Sequence, residues 1–387
     1  MNDTFCVLPW MHLATNASGQ LRVCCNSTPG KNLITRDDGV AYRITDPDIE
    51  SAWSSKSLTT LRRQLLAGEK AEMCERCWRE EAAGIKSARQ GWNESWAVSN
   101  PEIDSPMQVK YVDIRLGNLC NLRCRMCNPY ASNQWVDEWG LVAGELDQSE
   151  MARLSHMDWP NDPQVWANLA KFSDSIEQIY LTGGEPTLAK AQYELFEHLI
   201  ALDRAKSITL KYNTNLTNIP QRMIDYWQHF KRIKINASID AVGDLNRYIR
   251  YPANWKSIDK NLRLFLEMRQ NNKCTVSVHC TVQIYNILRL SELIDYVDSI
   301  GEIDIYFNIL NHPECLNIRV LPPHLKQQAT AMLERYLSRP KVDGIISYMN
   351  GEDWTHKRDD FSRYTRALDT SRDENLGELI HEFNGIY

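Results

Sequence analysis

The chain has 387 residues, 43% of them hydrophobic and 24% charged, with a formal net charge of −6. This balance excludes a disordered or fibrous chain and leaves room for a sizeable core. The acidic excess argues against a dominant nucleic-acid surface, which needs clustered Lys and Arg, and no apolar run reaches the roughly 20 residues of a membrane-spanning helix.

The N-terminus, Met1 to Trp10, shows neither a basic stretch nor a long apolar one. No secretory signal is expected there, and the expected location is the cytoplasm. The eleven cysteines then read as metal-binding or redox groups rather than disulfides. Cys6, Cys24, Cys25, Cys74 and Cys77 lie in the N-terminal segment, while Cys120, Cys124 and Cys127 form a tight cluster. Cys274, Cys280 and Cys315 are scattered and read as buried fillers.

Ser99–Pro106 is polar with two prolines and reads as a linker. After it, six segments alternate like strands: Val109–Leu116, Ile176–Thr182, Ser207–Tyr212, Ile233–Ile239, Thr275–Val282 and Ile303–Ile309. Helical patterns at Gln192–Leu202, Gln221–Phe230, Trp255–Gln270 and Leu290–Ser299 separate most of them. Alternating strands and helices predict a parallel sheet with right-handed crossovers, here an open, partial (β/α)6 barrel of α/β class. The expected division is residues 1–98 as an N-terminal module, 107–318 as the barrel and 319–387 as a helical C-terminal extension. On that extension Asp369, Arg372 and Glu378 read as a solvated helix face, with a partner-binding surface as the alternative.

Cys120-Asn-Leu-Arg-Cys124-Arg-Met-Cys127 follows the first predicted strand and so lies on a loop at its C-terminal end. Three thiolates on one short loop can hold three corners of an iron–sulfur cube, leaving one iron open. The competing reading is a zinc site short of one ligand, though zinc sites usually show paired C-x2-C elements. Polar residues mark the other strand ends: Asn213 and Asn215, Ser238 and Asp240, Gln283, and Asn308. In β/α barrels this is the active-site face.

The C-x3-C-x2-C spacing after the first strand resembles the radical S-adenosylmethionine (radical SAM) superfamily. Leu181-Thr-Gly-Gly-Glu-Pro-Thr187 resembles that family's GGEP motif. The resemblance implies a [4Fe–4S] cluster on Cys120, Cys124 and Cys127, with S-adenosylmethionine on its open iron. It also implies cofactor contacts from Gly183, Gly184 and Glu185, and from Ser238 and Arg250 near the cofactor carboxylate. Asn213 joins them as a strand-end candidate. Many members carry an aromatic residue before the third cysteine, where this chain has Met126; a thioether can also pack against the adenine.

Cys6, the G-x4-C run from Gly19 to Cys24, and Cys74-Glu-Arg-Cys77 resemble a SPASM/twitch extension, placed here before the barrel rather than after it. That resemblance implies a second [4Fe–4S] cluster on Cys6, Cys24, Cys74 and Cys77. Structural zinc on the same thiols, and Cys25 in place of Cys24, remain open, and His12 reads as a packing residue. The implied activity is reductive cleavage of S-adenosylmethionine to a 5′-deoxyadenosyl radical, which takes hydrogen from a peptide or protein side chain. A small molecule such as a sugar or nucleotide is the alternative substrate. An iron–sulfur electron-transfer or scaffold protein is the non-enzyme alternative. The expected electron donor is a flavodoxin or ferredoxin; neither membrane nor nucleic acid is an expected partner.

Overall fold

The computed structural model describes residues 2–28, 30–269 and 273–386. Eight strands are present: β1 (His12–Thr15), β2 (Leu21–Arg22), β3 (Tyr111–Leu116), β4 (Gln178–Gly183), β5 (Thr209–Thr214), β6 (Arg232–Ser238), β7 (Cys274–Val282) and β8 (Asp304–Ile309). They form one sheet in the order β2-β1-β3-β4-β5-β6-β7-β8. The pairings β1–β3, β3–β4, β4–β5 and β7–β8 are parallel, and β1–β2 is antiparallel. The α/β class and the partial barrel expected from the sequence are therefore present.

All six expected strands form, each end within two residues of its predicted position. The four expected helices start at Gln192, Gln221, Trp255 and Leu290, as predicted. The predicted end of the third helix, Gln270, lies outside the described residues. Two strands were not expected. β1 has four residues and β2 only two, too short for alternation to register. Through β1 the N-terminal segment joins the edge of the barrel sheet beside β3, with His12 opposite Tyr111 and Ala14 opposite Asp113.

The chain divides into two compact units. The first comprises Met1–Asn118, Met157–Tyr212 and Ile224–Ile233. In it β3–β5 are apolar on one face, where Val112, Ile114, Ile179, Leu181, Leu210 and Tyr212 are all buried. The alternate positions Asp113, Arg115, Tyr180 and Lys211 occupy the opposite face. Parallel strands covered on both faces usually read as near-continuous apolar runs; this polar face instead suits a ligand-lined interior.

Leu8, Trp10, Trp53 and Trp78 are all buried. Two of them pin the expected linker: Trp10 Nε1 donates to Glu102 O at 2.7 Å and Trp53 Nε1 to Ser105 O at 2.9 Å. Between the two rings lies Arg62, fully buried and donating to the carbonyls of Pro9, Trp53 and Ile103. Burial pushes its guanidinium down to about 10. A small module with few aliphatic residues thus gains a core from a buried cation fully wrapped in carbonyls and rings.

The second unit comprises Leu119–His156, Asn213–Met223 and Lys234–Tyr387. It carries the cysteine loop, β7, β8 and the C-terminal extension, which is helical as expected, with helices at Pro323–Leu333, Val342–Gly351 and Arg358–Arg372. Among the described residues no helix is long and apolar enough to cross a membrane.

Candidate metal centres

Cys120 and Cys124 are buried and Cys127 is half-buried, all on one loop. The sulfurs of Cys124 and Cys127 share a hydrogen bond, which lowers the first thiol and raises the second, and Cys120 is near enough to raise Cys127 further. Three thiols on one short loop supply the donor set that a cube with one open corner needs. The loop is fixed mainly through its backbone. Arg123 N donates to Tyr251 O at 2.7 Å, Arg125 N to Ile249 O at 2.8 Å and Cys120 N to Asn133 Oδ1 at 3.1 Å. Trp135 Nε1 donates to Cys124 O at 2.9 Å, and Tyr364 OH to Arg125 O at 2.6 Å.

Arg125, between the second and third cysteines, is completely buried. One of its nitrogens reaches Asp369 Oδ1 at 2.6 Å and Glu374 Oε2 at 2.9 Å, and its guanidinium lies 3.5 Å from the centre of the Tyr248 ring. Burial works against the charge, but Tyr248, Tyr285, Asp369 and Glu374 outweigh it and hold Arg125 above its ordinary value. Arg372 likewise pairs with Glu138 at 2.6 Å, and Arg123 holds the other Glu138 oxygen at 3.0 Å. The face carrying Asp369 and Arg372 is therefore not solvated: both side chains are buried in ion pairs that brace the cysteine loop. Charged residues at helical spacing gave that face the look of a surface.

Of the strand-end candidates, Arg250 Nε lies 2.7 Å from Asp240 Oδ2, both side chains buried. The pair keeps Arg250 charged despite burial, and Arg250 in turn lowers Cys124 and Cys127. Asn213 Oδ1 accepts from Asn236 Nδ2 at 2.7 Å, and Asn215 Nδ2 donates to Asn121 Oδ1 of the cysteine loop at 2.9 Å. Ser238 ends β6 half-buried. Met126 and Cys127 line a cavity of about 390 Å³ together with Trp139, His312, Cys315 and Tyr364. Cys274 and Cys280 are buried fillers as expected, whereas Cys315 is half-buried in this cavity wall.

The GGEP turn lies in the first unit. Gly183 has φ +135°, and a Cβ there would sit 2.9 Å from Leu116 N. The close approach that demands glycine at this position is to strand β3. Glu185 is buried and caps its own turn, accepting from Thr187 N at 3.2 Å and Thr187 Oγ1 at 2.8 Å. Gly184 is half-buried.

In the N-terminal segment, Cys6, Cys24, Cys74 and Cys77 line one small cavity, and Cys25 joins them. Cys74 precedes the helix Glu75–Ala82 and Cys77 lies in its first turn, so the C-x2-C pair shares one face at a helix N-terminus. Burial, then Cys24 and Cys77, pushes Cys74 up to about 12; burial, then Cys24 and the other two thiols, raises Cys6. Like groups that oppose one another's ionisation ionise readily only around a cation, which suits a metal centre. Arg89 closes the cavity, fixed by Glu81 at 2.8 Å and by Phe5 O at 2.6 Å. Among the described residues no three His, Cys, Asp or Glu side chains are disposed as ligands of a single metal ion. His12 packs as expected, stacked on Tyr111 with ring centres 4.6 Å apart.

The family model "Radical SAM superfamily" matches residues 114–297. These residues form a radical SAM domain. Curated relatives include a "GTP 3',8-cyclase" of Corynebacterium glutamicum, 27% identical over 35% of this chain and 32% of that protein. Another GTP 3',8-cyclase, from Staphylococcus epidermidis, is 26% identical over 42% of this chain and 45% of its own length. The chain thus spans less than half the length of either. Similar solved structures include anSMEcpe with bound AdoMet and a peptide (TM-score 0.38, 14% identity, 60% of this chain and 59% of that one). Streptococcus suis SuiB bound to S-adenosylmethionine is another (TM-score 0.36, 15% identity, 73% and 61%). The radical SAM domain begins within β3 and ends before β8, so it contains the cysteine loop, the GGEP turn and the Asp240–Arg250 pair.

Proposed function

We propose that the protein is a radical SAM enzyme that binds a [4Fe–4S] cluster through Cys120, Cys124 and Cys127. The observation that carries this reading is the placing of three cysteines on one short loop, held by hydrogen bonds to Tyr251, Ile249, Asn133 and Trp135, inside a radical SAM domain. When bound, the cluster and S-adenosylmethionine supply a 5′-deoxyadenosyl radical by one-electron cleavage of the sulfonium, with a flavodoxin or ferredoxin as electron source. The chain's own residues position and shield. Arg250, kept charged by Asp240, sets a positive potential beside the thiolates and supports the cofactor carboxylate. Met126 packs against the adenine in the adjoining cavity, and Ser238, Asn213 and the Gly183–Glu185 turn offer polar contacts to the cofactor. The buried loop keeps water away from the reacting centre.

Cys6, Cys24, Cys74 and Cys77 hold a second [4Fe–4S] cluster in this proposal, with residues 1–98 as its module and 319–387 as the brace of the first. The substrate supplies hydrogen from an unactivated C–H bond. A peptide or protein side chain is the reading drawn from the twitch-like cysteine pattern. A nucleotide is the second reading, favoured by the curated relatives named GTP 3',8-cyclase. Anaerobic incubation with S-adenosylmethionine and dithionite tests the central claim. 5′-Deoxyadenosine is expected; a fully iron-loaded chain that forms none would overturn it.

A further inference from the structure

Ser87-Ala-Arg-Gln90 opens the helix Ala88–Ser95 beside the N-terminal thiols. Ser87 caps it: its hydroxyl accepts from Gln90 N, and the Gln90 side chain accepts from Ser87 N at 3.0 Å. The box leaves the peptide N–H of Arg89, a first-turn donor, without a partner inside the helix. That N–H hydrogen-bonds the Cys77 sulfur, and Leu8 N–H does the same for Cys6. Hydrogen bonds to its sulfurs and nearby charge are two of the levers that set the reduction potential of an iron–sulfur cluster.

The Arg89 side chain is buried with all three nitrogens engaged. Nε and Nη2 fork onto Glu81 at 2.9 Å and 2.8 Å, and Nη1 donates to Phe5 O, next to Cys6, at 2.6 Å. One turn further on, Asn93 donates to the same carbonyl at 2.7 Å and accepts from Val7 N at 2.9 Å. One helix thus grips both the Cys6 segment and the helix that carries Cys77. Because the charge of Arg89 is paired, the orientation of the pair decides its effect. Arg89 lines the cavity that the thiols share, and Glu81 is not among the lining residues. The pair therefore turns its positive end toward the thiols. Burial dominates at both Cys74 and Cys77, but Arg89 favours the Cys74 thiolate while Glu80 and Glu81 oppose that of Cys77.

Resting on the reading of Cys6, Cys24, Cys74 and Cys77 as ligands of a second cluster, we propose that Arg89 is the positioning residue of that cluster and raises its reduction potential, with Glu81 as the opposing charge. Reduction adds one negative charge to a cluster. A cation at the cavity wall favours that step, and a carboxylate behind it disfavours the step more weakly because it lies further off. The second cluster accepts an electron more readily for having Arg89 at its side.

The test is an anaerobic redox titration of the full chain, followed by electron paramagnetic resonance. The chain with Cys120, Cys124 and Cys127 replaced by Ala identifies which signal belongs to the second centre. Arg89→Gln should lower the potential of that centre, moving its reduced-to-oxidised ratio at a fixed poise by about tenfold, or about 59 mV for one electron. Arg89→Lys keeps the charge and should recover most of the loss. Glu81→Gln keeps an acceptor for Arg89 and should shift the potential the other way, upward. A clamp that only holds the chain would not give opposite signs. Shifts in the same direction for Arg89→Gln and Glu81→Gln, or no recovery with Lys, overturn the proposal. Should Arg89→Gln lose its iron altogether, the direction of the shift in Glu81→Gln decides alone. Iron held at the site with unmoved potentials overturns the role of Arg89 and leaves the second cluster standing. A wild-type site without iron overturns both.

Discussion

As the cluster sites proposed above, the two cysteine groups solve the same problem in opposite ways. The cluster loop is compact in sequence, three thiols between Cys120 and Cys127, but its support is remote: Tyr364, Asp369, Arg372 and Glu374 come from the C-terminal extension. The N-terminal site scatters its thiols from Cys6 to Cys77, yet its support is near in sequence: Arg89, Glu81, Asn93 and the Phe5 carbonyl. A site whose fourth corner must stay open cannot be rigidified by a fourth ligand, so other contacts must hold its loop. A site with four protein ligands is closed by the ligands themselves and staples the chain between them.

The sharpest way to break this comparison is to remove one thiol set at a time. Wild-type chain reconstituted without oxygen should hold about eight iron atoms, as two cubes. Replacing Cys120, Cys124 and Cys127 by Ala should leave about half of the iron and abolish 5′-deoxyadenosine formation. Replacing Cys74 and Cys77 by Ala should also leave about half, but with slow cofactor cleavage intact and substrate conversion lost. Iron and zinc analysis decides between the two fillings of the N-terminal site: about four iron with one tightly held zinc in the wild type would refute the second cube and spare the first.

A second test aims at the remote support. Arg125→Met removes the buried cation shared by Asp369 and Glu374, of which Glu374 keeps its ion pair with Arg247, a change that costs about 3–5 kcal/mol. The triple change Arg125→Met, Asp369→Asn, Glu374→Gln removes the cation together with both carboxylate charges and should be milder. If the extension braces the loop, Arg125→Met should lose iron from the first site and keep it at the second. Loss of iron from both sites alike would show general unfolding instead of local release.

The barrel was legible because its evidence is local and periodic: β-branched and aromatic alternation for strands, and a triplet and a GGEP turn that each fall within eight residues. The brace was not. Asp369 and Arg372 look like surface charges at helical spacing, and only their burial against Arg125 and Glu138 reveals otherwise. β1 escaped because four residues carry no period, and the polar face of β3–β5 because no single strand shows it; the row exists only once the register is known. At Gly183 the structure adds a demand for glycine that the motif alone does not show, since the backbone it admits is that of β3.

That last point gives a smaller effect. Gly183→Ala places a Cβ 2.9 Å from Leu116 N at φ +135°, a combination an L-residue rarely adopts. Thermal unfolding should show a loss of about 1–3 kcal/mol. The same substitution at Gly144, which also has positive φ but no neighbour within 4 Å, should cost less. Equal costs at the two sites would mean that backbone conformation alone, and not the approach to β3, sets the requirement.

The smallest effect concerns the end of the extension. Arg289 forks onto Glu382, at 2.9 Å and 2.7 Å, and Gln328 adds a third bond at 2.9 Å. Arg289 is the main reason the Glu382 carboxyl falls to about 2 from its ordinary 4.5. A carboxyl lowered in the folded state stabilises the fold above its unfolded value, and that contribution disappears as pH falls through its folded value. Glu382→Gln should therefore cost about 1–2 kcal/mol at pH 7 in urea unfolding, allowing for solvent screening of a partly exposed pair. The difference between wild type and variant should stay level above about pH 5 and shrink as pH drops toward 2. The cluster loop should not feel it: Glu382 makes none of the contacts that reach Arg125, so iron at the first site should be retained. Loss of that iron in Glu382→Gln would mean that the extension braces the loop as one cooperative body, and not through Asp369, Arg372 and Glu374 alone.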